Sequence, residues 1–316
     1  MYYVVYGLLY LLSLLPMWVL YRLSDGIAFL LYAVIRYRRG VVHSNLASAF
    51  PSKTDAERRR IAKRFYRNFT DNFIETIKLL SASKRYLDKR LVIDNPELLD
   101  YYYDQGRKLQ VHLGHCFNWE VGNLAMAMRT RYTFLVAYMP VENKIFERLF
   151  KHLRERTGSV MLPATRMNKA IIPYRHQQYM LILVADQAPS GVETAYWQNF
   201  FGRPTPFIRG PERGARIADI PVVFARFYKP RRGYYRVELV TISDHPRGLP
   251  DGELTLRFGR LLEAAILKQP DTWLWSHKRW KFAWKDDPAS LWIDTNPPGT
   301  TPNPPAGTPA GTPRGL

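Results

Sequence analysis

Residues 1–21 carry no charged side chain, and after Arg22 and Asp25 a second apolar run fills residues 26–35. A stretch of about 20 apolar residues is long enough to span the hydrocarbon core of a bilayer. Pro16 interrupts it, which leaves three arrangements open: a kinked span, a hairpin lying in the membrane plane, and a pair of helices buried in a soluble domain. A cleaved signal peptide fits less well, because the extreme N-terminus has no Lys or Arg and the apolar region is too long. Arg36, Arg38 and Arg39 follow directly. By the positive-inside tendency, what comes next is expected on the cytoplasmic side of the membrane.

Residues 55–80 read as a long helix, with Ile61, Phe65, Phe69, Phe73, Ile77 and Leu80 recurring at spacings of three and four. From about Leu91 the texture changes to short apolar runs alternating with helical stretches. Strands are expected at residues 109–113, 132–139, 159–162 and 179–185. Helices are expected between them, near 119–129, 143–156 and 167–177. Residues 221–228 and 234–242 read as two further strands joined by the turn Lys229-Pro230-Arg231-Arg232-Gly233, open to antiparallel pairing. Residues 253–267 form a helix with Leu254, Phe258, Leu261, Leu262 and Ala265 on one face. Such alternation predicts an α/β domain with a mixed, largely parallel sheet flanked by helices, preceded by a membrane-associated helical segment. The expected division is an anchoring segment at 1–40, a catalytic domain at 41–290 and a tail at 291–316. From Thr295 onward the tail is rich in Pro, Gly and Thr, and is expected to be disordered.

The chain has 46 Lys and Arg against 27 Asp and Glu, a formal charge of +19. That balance favours anionic partners: anionic lipid headgroups, an acidic protein, or nucleic acid. No zinc-finger, RRM or basic-region pattern supports nucleic acid. Cys116 is the one cysteine, so no intrachain disulfide forms.

The segment most able to carry chemistry is Val111-His112-Leu113-Gly114-His115-Cys116-Phe117-Asn118-Trp119-Glu120, which leaves a strand and opens a helix. Ligands of open α/β sheets bind at the carboxyl ends of strands. With His115 in the loop and Glu120 in the first helical turn, the carboxylate is expected to fold back onto the imidazole, fixing its tautomer and raising its basicity. A histidine that merely closes a strand end is the plainer reading of an isolated H-x4-E. Cys116 is a rival nucleophile, but neighbours on a strand end point apart. His112, His115 and Glu120 lack the H-E-x-x-H spacing of a zinc site. Asp186, after a strongly apolar strand, fits either a helix cap or a site residue. Arg154 by itself reads as a surface charge. The tryptophan-rich run 273–281 fits a membrane-interface belt, or a core closure with Arg279 stacked on an indole.

Taken together, these segments resemble a known family. Gly114-His115 with Asn118-Trp119-Glu120 is similar to the H-x4-D/E motif of glycerolipid acyltransferases, and most resembles the late acyltransferases of lipid A biosynthesis, the lauroyl/myristoyl transferase family. Further blocks stand in that family's order. They are Tyr138-Met139-Pro140 with Asn143 and Arg154, Ala185-Asp186-Gln187 with Gly191, Phe200-Phe201-Gly202-Arg203-Pro204 with Gly210-Pro211, and the run from Trp273 to Lys281. The similarity covers roughly residues 1–285. Met139 stands where the family usually has arginine, and Cys116-Phe117 where it often has a Phe-Gly pair. Both departures bear on the substrate more than on the reaction.

The resemblance implies transfer of a fatty acyl group from an acyl thioester, usually acyl carrier protein rather than acyl-CoA. The acceptor it implies is a hydroxyl on a lipid A precursor, an anionic lipid, at the cytoplasmic face of the bacterial inner membrane. By position, His115 is the base and Glu120 its orienting carboxylate, while Asn118, Arg154, Asp186 and Gln187 bind substrate or stabilise developing charge. An alcohol attacking a thioester builds negative charge on the carbonyl oxygen and needs a donor there. No metal or redox cofactor is called for. The rival enzyme reading is acyl transfer to another lyso-lipid or an amino-acid lipid. The rival from outside enzymes is a non-catalytic basic protein of the membrane surface, and the presence of both His115 and Glu120 speaks against it.

Overall fold

The computed structural model describes residues 1–116, 118–285, 291–295 and 297–298. The disordered tail expected from Thr295 lies almost wholly outside the described residues.

Pro16 separates two N-terminal helices, α1 (Tyr2–Leu14) and α2 (Met17–Phe29), the latter continuing through a π-helical turn, Leu30–Val34. Proline cannot donate to the preceding turn, so the break falls where the sequence places it. The helix Met17–Val34 is long and apolar enough to cross a membrane, by length and composition. Only 17% of it is buried, so it is not a core helix. Trp18, Phe29, Leu30 and Val34 are exposed along it.

Next come α3 (Arg39–Ala49) and the long α4 (Asp55–Leu79). A capping box starts α4: Thr54 accepts from the Glu57 N–H, and Glu57 reaches back to the Thr54 N–H. The expected apolar stripe is only part of its contact surface. Phe73 is half-exposed, while Asn68, Thr70, Asp71, Asn72 and Glu75 are buried. The reason lies in what α4 meets. Ser24 of α2 donates to Asp71 (2.7 Å), Tyr21 donates to Glu75 (2.9 Å), and Lys78 donates to the Ser13 carbonyl (2.8 Å). The N-terminal helices are therefore fastened to the domain by polar contacts, which a hydrophobic periodicity does not reveal.

The remainder alternates helices and strands: α5 (Lys84–Arg90), β1 (Leu91–Ile93), α6 (Glu97–Asp104), β2 (Leu109–Leu113), α7 (Trp119–Ala127), β3 (Thr133–Tyr138), α8 (Lys144–Glu155), β4 (Val160–Pro163), α9 (Met167–Ala170) and β5 (Tyr179–Val184). After these come β6 (Ala195–Phe200), β7 (Arg203–Ile208), α10 (Gly210–Ala218), β8 (Val222–Arg231), β9 (Tyr234–Ser243), α11 (Glu253–Lys268) and β10 (Leu291–Trp292). Seven strands form one sheet in the order β1-β9-β8-β2-β5-β3-β4. All its pairings are parallel except the β8–β9 hairpin. Every residue of the central strand β2 is buried, Gln110 and His112 among them, and these two polar side chains lie within hydrogen-bond distance of each other (3.0 Å). Alternate residues of β5 serve opposite sides: Met180 and Ile182 join one apolar cluster, Leu181 a second.

A small second sheet, β10-β6-β7, was not legible in the sequence. Residues 291 and 292, expected in the tail, pair with β6, and Ile293 N–H donates to the Trp197 carbonyl (2.8 Å). The β8–β9 turn reaches the N-terminal helices. Arg232 binds Asp71 (2.6 Å) and Asp25 (2.8 Å), and Lys229 Nζ donates to Asn68 (2.6 Å). Gly233 at this turn has φ +75°, and a Cβ there would collide with the Tyr21 hydroxyl.

Candidate active site

β2 and β5 are adjacent and parallel, with Leu113 opposite Val184. Continuing that register two residues beyond each strand brings His115 opposite Asp186. The Asp186 carboxylate accepts from the His115 backbone N–H (2.8 Å), meets the ring Nδ1 (2.5 Å), and accepts from the Trp273 indole N–H (2.7 Å). Burial works against charge on Asp186, but the charge and hydrogen bonds of His115, with Trp273, outweigh it and hold the carboxyl below its ordinary range. A carboxylate on Nδ1 fixes the tautomer with its proton there, leaving Nε2 as the acceptor. Nε2 lies 3.2 Å from the Gln187 side-chain amide, and the imidazole retains partial exposure, 21%. Gly114 follows from this packing, because a Cβ there would overlap Leu262 of α11 and press on Asp186.

The expected contact between Glu120 and His115 is replaced by another. Glu120 is buried and held by Arg154 of α8 through Nη2 (2.5 Å) and Nε (2.9 Å to the other oxygen). Fork-to-fork pairing of this kind fixes both side chains. Although burial opposes it, the Glu120 carboxylate keeps the Arg154 guanidinium firmly protonated. The physical reason for the change of partner is the cap. Asn118 Oδ1 accepts from the Glu120 N–H (3.0 Å) and Val121 N–H (3.4 Å), placing Glu120 in the first turn of α7, within reach of α8. Trp119 stands between the two groups: its ring meets His115 edge-on at 5.6 Å and its indole N–H donates to Glu120 (3.2 Å).

Asn118, expected to touch substrate, is fully buried, with Oδ1 consumed by the cap and Nδ2 by Glu75 (2.9 Å). Gln187 is exposed beside Nε2, and Arg154 reaches the site through Glu120. Cys116 is buried, and burial with the nearby Asp186 pushes its thiol far up, which disfavours a thiolate nucleophile. His112 is buried against Gln110 and the edge of Phe258, and burial pushes it down to about 3. Trp273 joins β-bridge fashion to Cys116, so part of the tryptophan run closes the back of the site. Arg279 in that run lies over Phe207 (4.4 Å) and Phe200 (5.7 Å) rather than an indole. Sequence reasoning missed the Asp186–His115 contact and the part of Trp273. The signal that was present is a polar residue two positions past the end of each of two buried strands.

Comparison with known proteins identifies the family. The family model described as bacterial lipid A biosynthesis acyltransferase matches residues 1–282. The chain is also similar to a lipid A biosynthesis lauroyltransferase of Escherichia coli (strain K12), with 23% identity over 278 residues, covering 87% of this chain and 89% of that relative. The chain is an acyltransferase and belongs to the bacterial lipid A biosynthesis acyltransferase family.

Proposed function

We propose that the enzyme moves a fatty acyl chain from the thioester of acyl carrier protein onto a hydroxyl of a lipid A precursor, with His115 as general base. The observation that carries this reading is the His115–Asp186 pair, with Nδ1 engaged and Nε2 left to accept a proton. In this reading the acceptor hydroxyl takes the place of the Gln187 amide at Nε2. As its oxygen attacks the thioester carbonyl, its proton passes to Nε2, and Asp186 stabilises the imidazolium. Collapse of the tetrahedral intermediate expels the thiolate, and the proton on His115 neutralises it. Glu120 and Arg154, locked together, shape the adjoining wall.

The substrate is a lipid on this reading because the site lies beside an apolar surface. Tyr6 of α1 packs on His152 of α8, the helix that carries Arg154, and Arg148 of α8 lies 4.1 Å over Tyr2. The outer face of α1 and α2 exposes Tyr3, Leu8, Leu11 and Trp18. The arginines 36, 38 and 39 that end the apolar segment support a placement of the catalytic domain on the cytoplasmic side of the membrane in this reading. A net charge of +19 suits both an acidic carrier and a phosphorylated lipid.

The test is incubation of the purified protein in detergent with lauroyl-acyl carrier protein and a phosphorylated glucosamine disaccharide bearing 3-hydroxyacyl chains, read by mass spectrometry. A product heavier by one fatty acid less water is expected, with KM for the carrier rising as salt screens the encounter. Acylation of a lysophospholipid or amino-acid lipid, with the disaccharide left untouched, overturns the acceptor. A carrier KM insensitive to salt, with acyl-CoA used equally well, overturns the donor.

A further inference from the structure

The wall of the site is held from behind by a buried carboxylate that the reaction does not use. Glu75 of α4 is 3% exposed and is reached from three separate elements. Its Oε1 accepts from the hydroxyl of Tyr21 on α2 (2.9 Å). Its Oε2 accepts from the hydroxyl of Tyr235 on β9 (2.6 Å) and from Nδ2 of Asn118 (2.9 Å). Asn118 in turn caps α7 through the Glu120 and Val121 N–H groups. An unbroken chain of hydrogen bonds thus runs from the N-terminal apolar helix to the backbone of Glu120. An asparagine amide rotates freely between its two ends unless both are engaged. Here the Nδ2 end is fixed by Glu75, which forces Oδ1 toward the helix.

We propose that Glu75 is a positioning residue for acyl transfer: it orients Asn118 so that the first turn of α7 presents Glu120 to Arg154, and through Tyr21 it makes that geometry depend on the seating of α2. Burial holds the Glu75 carboxyl above its ordinary range, against the pull of Lys229 and the donors Tyr235 and Asn118. The contact geometry, however, sets the expected behaviour of variants. In Glu75→Gln the amide oxygen keeps accepting from Tyr235 and Asn118, and the Tyr21 hydroxyl turns to accept from its NH2. In Asn118→Asp the cap survives, but two carboxyl groups face each other. Combining the two restores complementarity, because the amide introduced on α4 then donates to the carboxylate introduced at the cap.

The proposal rests on the assignment of Glu120 to the active site, so the test has two readouts. The first is hydrogen exchange, followed by mass spectrometry, in the peptide containing the amides of Glu120 and Val121. The second is kcat and KM for acyl transfer. Both use full-length protein in detergent, with the thermal midpoint recorded. Asn118→Asp is expected to speed exchange in this turn and to lower kcat by about tenfold, the equivalent of one lost buried hydrogen bond, with KM changed far less. Glu75→Gln/Asn118→Asp is expected to recover most of both. Tyr21→Phe is expected to speed exchange at α7 and lower kcat several-fold without altering partition into vesicles.

A double variant no better than Asn118→Asp, or losses that simply follow the thermal midpoint, overturns the positioning role. Unchanged exchange and kcat in Tyr21→Phe overturns the dependence on α2. A wild type that transfers no acyl chain defeats the assigned reaction, and the exchange measurement still judges Glu75.

Discussion

His115 and Asp186 lie 71 residues apart, and each stands two residues past the last paired position of neighbouring parallel strands. That register brings a carboxylate to Nδ1 at 2.5 Å and leaves Nε2 toward the partly open side. The carboxylate in contact with the His115 ring is therefore that of Asp186, and Glu120 is the partner of Arg154.

Replacing His115 with Ala is expected to lower kcat by roughly 10²- to 10⁴-fold, the ordinary worth of a general base. Asp186→Asn is expected to be nearly as severe. Asp186 receives three donors, from the ring and backbone of His115 and from Trp273, and an amide sets its own NH2 against one of them. Cys116→Ser is expected to be mild. Steady-state kinetics on folded variants decide the matter. Near-normal turnover in Asp186→Asn beside a dead Glu120→Gln returns the orienting part to Glu120.

How far the site is legible in the sequence depends on what each contact requires. The strand at 109–113, the helix after it and the strand ending at Val184 follow from apolar runs and turn residues, as do the residues at their carboxyl ends. Which carboxylate reaches His115 depends on β2 and β5 being neighbours, although β3 and β4 lie between them in the chain. Hydrophobic pattern does not encode strand order. The buried polar row of α4 escapes for a different reason. Asn68, Asp71 and Glu75 look like a solvated face until Ser24, Lys229, Arg232 and Tyr235 are seen to meet them.

The Glu120–Arg154 pair is expected to tolerate neither truncation nor a simple charge-conserving change. Lysine offers a point charge and cannot span both carboxylate oxygens, so Arg154→Lys should lose activity despite its charge. Arg154→Ala leaves a carboxylate of 3% side-chain exposure without a cation, a situation that costs about 3–5 kcal/mol in comparable buried pairs. A double-mutant cycle with Glu120→Gln should give a coupling energy above about 1 kcal/mol in thermal or denaturant unfolding. Additive effects, or an Arg154→Lys enzyme indistinguishable from wild type, contradict the bidentate pairing.

Two histidines are expected to make stability fall in mild acid. Burial pushes His112 down to about 3, and burial with the neighbouring Arg279 pushes His277 down to about 4. The His277 Nε2 accepts the Ala188 N–H (3.0 Å), which requires the neutral ring. In the unfolded chain both rings titrate near about 6.5. Between that pH and their folded values the unfolded state holds protons that the folded state rejects. Their stabilisation is thus complete above about pH 6.5 and lost as pH falls toward 4. Thermal midpoints measured from pH 8 to 4.5 should decline in the lower part of this range. His277→Gln and His112→Gln should each flatten the decline, and an unchanged slope in both assigns the acid sensitivity to other groups.

Removing residues 1–40 should destabilise the enzyme rather than release a soluble domain. A purely apolar anchor would leave little behind when cut away. Here the cut removes Ser24 from Asp71, Tyr21 from Glu75, and both Asp25 and the Tyr21 carbonyl from Arg232. It also removes the Ser13 carbonyl from Lys78. Polar groups that are buried in the intact chain would then lose partners on one whole side of α4, at about 1–3 kcal/mol for each group left unsatisfied. The truncated protein is expected to be rapidly cleaved in limited proteolysis, with cuts in α4 and in the β8–β9 turn, and to melt well below the full-length enzyme in the same detergent. Arg232→Ala in the full-length chain should reproduce part of that loss, since it frees Asp71 and Asp25 together. A truncated chain that stays soluble without detergent, melts like the full-length enzyme and resists protease would show that the N-terminal helices are a detachable anchor.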